Sequence, residues 1–307
     1  MNAKKTNGRG LRESRHVKVA RIIYAQTKVV LPRYSHQFSP KKFTLPQLAT
    51  CVLMSFYFKM SYRDFKKLLL MSKELRDALE LTGVPDYSTL NRMYHRFRAS
   101  HLDKLNETLL ATLDDGQGQG QGQGIVEDTL TLDSTGYRPT NASAYFQTRR
   151  GQPFRRWLKG AYAVGTRSQM ILAVAHGIGP SNDASHLSTL KRRARRYGRR
   201  NAQGQPIWVT LADSGFDSAT IGPRDIIPPI RRGGSLKAPA RKARADLVSH
   251  TRLEGLFGQR WKTESPCGSE TVNSVIKRKF GDAIRSVKRA SQNRESRVMG
   301  FIYNAHR

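Results

Sequence analysis

The sequence predicts an α/β protein, a mixed sheet flanked by helices and preceded by a small all-α N-terminal domain. Three observations lead there. From Thr44 to about residue 113 the apolar residues recur at helical spacing. Asp114 to Gly124 then reads DDGQGQGQGQG, which has no core-forming content and maximal backbone freedom, the mark of a linker. From Ile125 onward the period changes, and short β-branched and apolar runs carry most of the chain. The expected division is a basic arm over 1–43, a helical domain over 44–113, the linker over 114–124 and the sheet domain over 125–307.

Composition narrows the partners. The 307 residues suffice for a large core, 38% of them are hydrophobic, and 54 basic against 23 acidic residues leave a formal charge of +31. The excess runs along the whole chain, so a polyanion, first of all double-stranded DNA, is the expected partner. A membrane surface would need a basic amphipathic helix or an anchor motif, and neither is present, so no membrane partner is expected. A packaging protein competes as the basic class, but such chains seldom need this much core. Cys51 and Cys267 have no companions at metal-ligand spacing and read as packing thiols of a reduced, cytoplasmic protein. The N-terminus lacks the apolar run of a signal peptide, and the longest apolar run, Leu48 to Phe58, is too short to span a bilayer.

In chain order, residues 1–43 are rich in Lys and Arg and read as a mobile arm, within which Val17 to Leu31 could form a short helix or strand. TLPQLATCVLMSFYF, with Pro46 in its first turn, is apolar nearly all round and predicts a buried helix. Ser61 caps a helix with Tyr62, Phe65, Leu68 and Leu69 as its stripe. KELRDALELTG ends at Gly83, and Ser88 caps STLNRMYHRFR, whose polar face carries Arg92, Arg96 and Arg98. Short helices ending in an arginine face resemble a helix-turn-helix DNA reader; an ordinary bundle with a solvated basic face is the equal alternative.

In IVEDTLTLDSTGYRP, Val126, Leu130 and Leu132 fall on one face of a strand and Thr129, Thr131 and Asp133 on the other. A carboxylate ending a buried strand is poorly solvated unless a cation sits beside it, although Asp at a strand end also serves as an ordinary turn residue. Arg155–Thr166 and Ser168–Gly179 form a hairpin. SNDASHLSTLKRRARRYGRR follows as a helix with Ser, Asn and Asp as cap candidates. Its six closely spaced arginines, among them Arg192, Arg193, Arg195 and Arg196, repel one another and point to a phosphate-tracking surface. PIWVTLADSGFDS is a second apolar strand ending in a carboxylate, Asp213, and Ile226 to Ile230 reads as an edge strand. Ser269 to Gly281 is a helix with Val272, Ile276 and Phe280 on one side and Glu270, Asn273, Ser274 and Lys277 on a neighbouring face. Taken alone, Glu270 is also a favourable first-turn partner of the helix dipole. The residues to Arg307 read as one more basic helix and a tail.

Strand with Asp133, hairpin, helix, strand with Asp213 and helix with Glu270 is the layout of a ribonuclease-H-like fold. Two Asp on neighbouring strands facing a Glu on a helix could hold two Mg²⁺ ions roughly 4 Å apart, with no need for His or Cys.

The strings TLDSTGYR, LADSGFDS and ETVNSVIKRKFG resemble the three signature blocks of DDE transposases from bacterial insertion sequences, over about residues 125–307. The helical segment, with SPKKFTLPQLATCVLMSFYFKMSYRDF and DYSTLNRMYHRF, is similar to that family's N-terminal domain. The resemblance implies Asp133, Asp213 and Glu270 as the metal-binding catalytic triad, Mg²⁺ as cofactor with Mn²⁺ able to substitute, and Lys277 as a lysine contacting DNA near the cleaved phosphate. It also implies Arg260 and Arg278 on phosphates, binding of terminal inverted repeats and target DNA, a homodimer or higher in the DNA complex, and a bacterial, nucleoid-associated location. One departure stands out. The family's third block joins an aromatic, an Arg, a Glu and a Lys in one spacing, whereas here Phe257, Arg260 and Glu264 satisfy the first half and Glu270 with Lys277 the second. SPCGSE lies between the two halves, so Glu264 is the alternative third carboxylate. A structure-specific nuclease of the same fold, or a DNA-binding relic that no longer cuts, also fits the sequence.

Overall fold

The computed structural model describes residues 13–38, 40–113, 124–139, 149, 157–218, 221–222, 224–227 and 270–307. Six helices come first: α1 (Arg15–Val30), α2 (Leu45–Tyr57), α3 (Tyr62–Met71), α4 (Lys73–Ala78), α5 (Tyr87–Arg96) and α6 (Ala99–Thr112). The start signals are local. Thr44 and Gln47 make a reciprocal capping box ahead of α2, with a proline in its first turn, and Ser61 and Ser72 cap α3 and α4. Asp86, not Ser88, caps α5, because its carboxylate accepts the Ser88 N–H at 3.0 Å. Lys73–Ala78 stops short of Gly83, since Glu80 turns the chain at a φ of +53°.

The largest departure from the expected arm is α1. Ser14 caps it, and Val17, Ala20, Ile23, Tyr24 and Thr27 lie buried at helical spacing in the same core as α2. The lysines and arginines between them stay on the outer face. Charge read along the chain therefore hid an amphipathic stripe.

The sheet contains β1 (Thr129–Pro139), β2 (Leu158–Gly165), β3 (Ile171–Ile178), β4 (Val209–Ala212), β5 (Asp225–Ile226) and β6 (Ala283–Ile284). Its order is β3-β2-β1-β4-β5, with β6 added beside the far end of β1. β1, β2 and β3 run antiparallel as a meander, whereas β4 is parallel to β1 and β5 to β4. Between β3 and β4 runs the crossover helix α7 (Ala184–Ala194), and residues 270–280 form α8. This mixed open sheet flanked by helices is the ribonuclease-H-like arrangement. The buried carboxylate of Glu127 closes the β2–β3 turn by accepting the backbone N–H groups of Arg167 (3.1 Å) and Ser168 (3.0 Å).

Each face of the sheet has its own core. Leu130 and Leu132 of β1, with Ala161 and Ala163 of β2, pack on Leu187 and Leu190 of α7 and on Phe216. Tyr137, Tyr162 and Val164 face the other way, into a core shared with α1–α6, α8 and α9 (Arg289–His306). The two halves either side of 114–124 thus share one core. The expected last helix is present but runs on through His306 in place of the tail, and α9 buries Ser296, Phe301, Ile302 and Asn304 between the helices and the sheet. Ser296 Oγ meets Tyr162 Oη at 2.9 Å, which meets Tyr137 Oη at 2.6 Å.

Candidate active site

Asp133 and Asp213 come together through strand register. Leu132 of β1 pairs with Ala212 of the parallel β4, so the next residue of each chain is a carboxylate at the same level of adjacent strands. Neighbouring strands lie about 4.8 Å apart. Asp133 stands opposite Tyr162 and shares its face of the sheet, the face covered by α8. β4 ends at Ala212, where Asp213 accepts the Gly215 N–H at 3.0 Å and caps a single 3₁₀ turn. The turn explains why the strand stops there.

Helix α8 brings the third group. Val272, Ile276 and Phe280 hold it in the core, and Asn273, one turn from Glu270, donates from Nδ2 to Asp133 Oδ2 at 2.7 Å. The Ser134 N–H donates to Asp133 Oδ1 at 2.7 Å. Even with these two bonds, burial raises the Asp133 carboxyl to about 6, and the charges of Asp213 and Glu270 push in the same direction. Glu270 itself is exposed at the first described position of α8, and Lys277 is half-buried two turns on. Arg278 is exposed. Arg260 and Glu264 lie outside the described residues, as does Cys267.

A fourth carboxylate, Asp183, belongs to the cluster. In the sequence it reads as a helix cap, yet its side chain makes no cap bond. Instead Asp183 Oδ1 accepts from Ser134 Oγ at 2.5 Å and pairs with the buried Lys159 ammonium at 2.5 Å. Gly215 sits between Asp183 and Asp213: a Cβ on it would lie 2.9 Å from Asp183 Oδ2 and 3.1 Å from Asp213 Oδ1. Partial burial, then the charge of Asp183, raises the Asp213 carboxyl. Ser134 follows Asp133 and faces the other side of the strand, so the Asp183–Lys159 pair braces β1 from beneath. The only sequence signal for this role was a Ser, Asn and Asp cluster ahead of a helix.

The arrangement suits a hard cation in its donors. All are carboxylate oxygens, they crowd one another, and Asn273 Oδ1 is buried beside them with no hydrogen-bond partner among the described residues. Among those residues, however, no three His, Cys, Asp or Glu stand close enough to enclose a metal ion. The strands place two carboxylates side by side, and Glu270 on α8 is near enough for its charge to act on Asp133.

The basic residues divide more sharply than their spacing suggests. α7 ends at Ala194 and Arg195–Tyr197 is a 3₁₀ turn, so the arginine run does not continue as a helix to Arg200. Lys191 pairs with Asp225 (2.5 Å), Arg196 with Glu107 (2.8 Å) and Arg199 with Asp128 (3.1 Å), while Arg193 donates to the Val174 carbonyl (2.5 Å). Arg192 and Arg195 remain exposed with no ion pair among the described residues. On α5, Arg92 and Arg96 are both exposed, and Arg92 donates to Thr89 Oγ1 at 3.3 Å. No helix among the described residues is long and apolar enough to cross a membrane.

No family model matches the chain, and no curated protein matches it in sequence. Among solved structures it is similar to a piggyBac transposase synaptic complex with hairpin DNA, at 9% identity and a TM-score of 0.45, over 96% of this chain and 72% of that one.

Proposed function

We propose that the protein is a DDE-type DNA transposase of the bacterial insertion-sequence kind, which binds terminal inverted repeats, cuts the phosphodiester at the element's ends and joins the freed 3′-hydroxyl to target DNA. One observation carries this reading. Asp133 and Asp213 end neighbouring parallel strands at the same level, and Asp133 feels the charge of Glu270 on the helix that covers it. Carboxylates gathered against their mutual repulsion are the ordinary signature of a divalent-cation site in phosphoryl transfer.

In this reading Asp133, Asp213 and Glu270 hold Mg²⁺, or Mn²⁺ in its place, and Glu264 is the alternative third ligand. The bound cations would stabilise charge on the oxygens that enter and leave at phosphorus. Asn273 holds the Asp133 carboxylate through Oδ2 and so would orient it toward a bound cation. Lys277, on the same side of α8 as Asn273, meets the phosphate beside the cut, with Arg260 and Arg278 on flanking phosphates. Arg92, Arg96, Arg192 and Arg195 bind backbone further away, and two copies of the chain pair the element's ends.

The test is excision from a plasmid carrying the element's own ends, with Mg²⁺, for wild type, Asp133→Ala, Glu264→Ala and Glu270→Ala. Loss with Asp133→Ala and Glu270→Ala, and retention with Glu264→Ala, is the expected outcome. Loss with Glu264→Ala alone of the two glutamates moves the third ligand upstream. A wild type that binds the ends and never cuts them sinks the enzyme reading, and cutting without strand transfer leaves a nuclease.

A further inference from the structure

Between α2 and α5 lies a cleft of about 470 Å³ that the carboxylate site does not use. Its walls are Tyr34 and Phe43, its floor includes Leu48, and its rim carries Lys42, Arg92 and Arg96. The segment that supplies Tyr34, Lys42 and Phe43 to it reads RYSHQFSPKKF in sequence, with cations and aromatic rings interleaved. Phe38, in the same segment though not among the residues that line the cleft, is 82% exposed, and its ring lies 5.2 Å from that of His36. Arg33 lies over the Tyr34 ring at 5.5 Å and Lys42 over the Phe43 ring at 5.7 Å. The cleft's one acid, Asp86, is occupied by Lys66 at 2.8 Å and by the start of α5, so it does little to offset the rim cations.

We propose that this cleft, together with the exposed Phe38 ring of the same segment, binds unpaired nucleotides of single-stranded DNA, with bases stacked on Tyr34 and Phe38 and phosphates on Lys42, Arg92 and Arg96. A cleft of this volume holds a small organic ligand. An apolar floor with aromatic walls offers π-faces that any base can use, and a cationic rim tracks the backbone beside them. A duplex buries its base faces in its own stack, so it can use the rim but not the rings. The chemistry therefore favours single strands. The inference rests on the proposed action on DNA and assigns this part of the chain a task that does not involve cutting.

The experiment is fluorescence anisotropy with the full chain in EDTA, using a labelled oligothymidylate about eight nucleotides long and a blunt duplex of the same length. Phe38→Ala should weaken single-strand binding about tenfold, leave duplex binding unchanged, and be restored by Phe38→Trp. Because Phe38 is exposed, its removal does not threaten the fold, which a melting curve checks. Arg92→Ala with Arg96→Ala should weaken both DNAs and flatten the salt dependence of each. Equal affinity of Phe38→Ala and wild type for the single strand, or an equal loss on both DNAs, overturns the proposal. Such a result with excision intact would leave the transposase reading standing. Ring-dependent single-strand binding without excision would overturn that reading alone.

Discussion

At Asp133 stability and chemistry pull in opposite directions. Burial, with Asp213 and Glu270 adding to it, raises the carboxyl to about 6, above its ordinary value in an unfolded chain. A group whose folded pKa is raised contributes stability that is fully present below its unfolded pKa and lost as the pH climbs through the folded one. Without divalent cations, folding should therefore be less favourable at pH 8 than at pH 5 on account of this one side chain. A shift of about two units corresponds to about 3 kcal/mol at most. Asp133→Asn keeps the shape and removes the charge. In EDTA the variant should melt higher than wild type by a few degrees at pH 8, and by about half as much at pH 5. It should also lose all cutting. Equal melting differences at the two pH values, read by calorimetry, would show that the carboxylate cluster stores no such strain.

Among the elements, α9 and the edge strand β3 depend on each other. β3 ends the sheet, and its outward backbone would stand unpaired were it not for side chains. Asn304 closes both groups of Ile171, accepting its N–H at 2.9 Å and donating to its carbonyl at 2.8 Å, much as a neighbouring strand would. Asn106 donates to the same carbonyl at 2.9 Å, and Arg289 reaches the Gly177 carbonyl. Asn304→Leu leaves a buried N–H without its acceptor and should cost about 2–3 kcal/mol, measured from the urea midpoint. An unchanged midpoint would mean that water replaces the amide. This pairing also shows which elements can be read from sequence. β1, β4 and α8 declare themselves because their periodicity is local: alternating Leu130 and Leu132, apolar Val209 to Ala212, and Val272, Ile276 and Phe280 four apart. Asp133 and Asp213 were legible for the same reason. α9 was legible as a helix but not as a buried one, since its Ser296 and Asn304 look like surface residues until their partners Tyr162 and Ile171 arrive from 134 and 133 residues away. Asp183 escaped notice likewise, because its partners Ser134 and Lys159 belong to other strands.

For the molecule as a whole, the charge of +31 makes the proposed DNA affinity depend steeply on salt, yet not every cation contributes. A run of arginines in sequence is not a surface until the fold decides which ends are free. Arg193 is half-buried against the Val174 carbonyl, where partial burial lowers its pKa, and Arg196 is taken up by Glu107. Arg192 and Arg195 point outward with no ion pair among the described residues. About six to ten phosphate contacts would lower affinity by about 10³ to 10⁵ between 50 and 200 mM salt. Replacing Arg192 and Arg195 together by Ala should reduce the slope of log affinity against log salt by about two, at an unchanged melting temperature. Arg193→Ala should do the reverse, lowering the melting temperature and sparing the slope, because it removes a hydrogen bond to the sheet edge and no phosphate contact. Gel-shift titrations at several salt concentrations, paired with melting curves, separate the two behaviours. If Arg193→Ala flattens the slope as much as the outward pair does, DNA draws that side chain off the sheet and the whole run acts as one surface. If no substitution in the run changes the slope, the electrostatic footprint lies on the helical half, around Arg92 and Arg96.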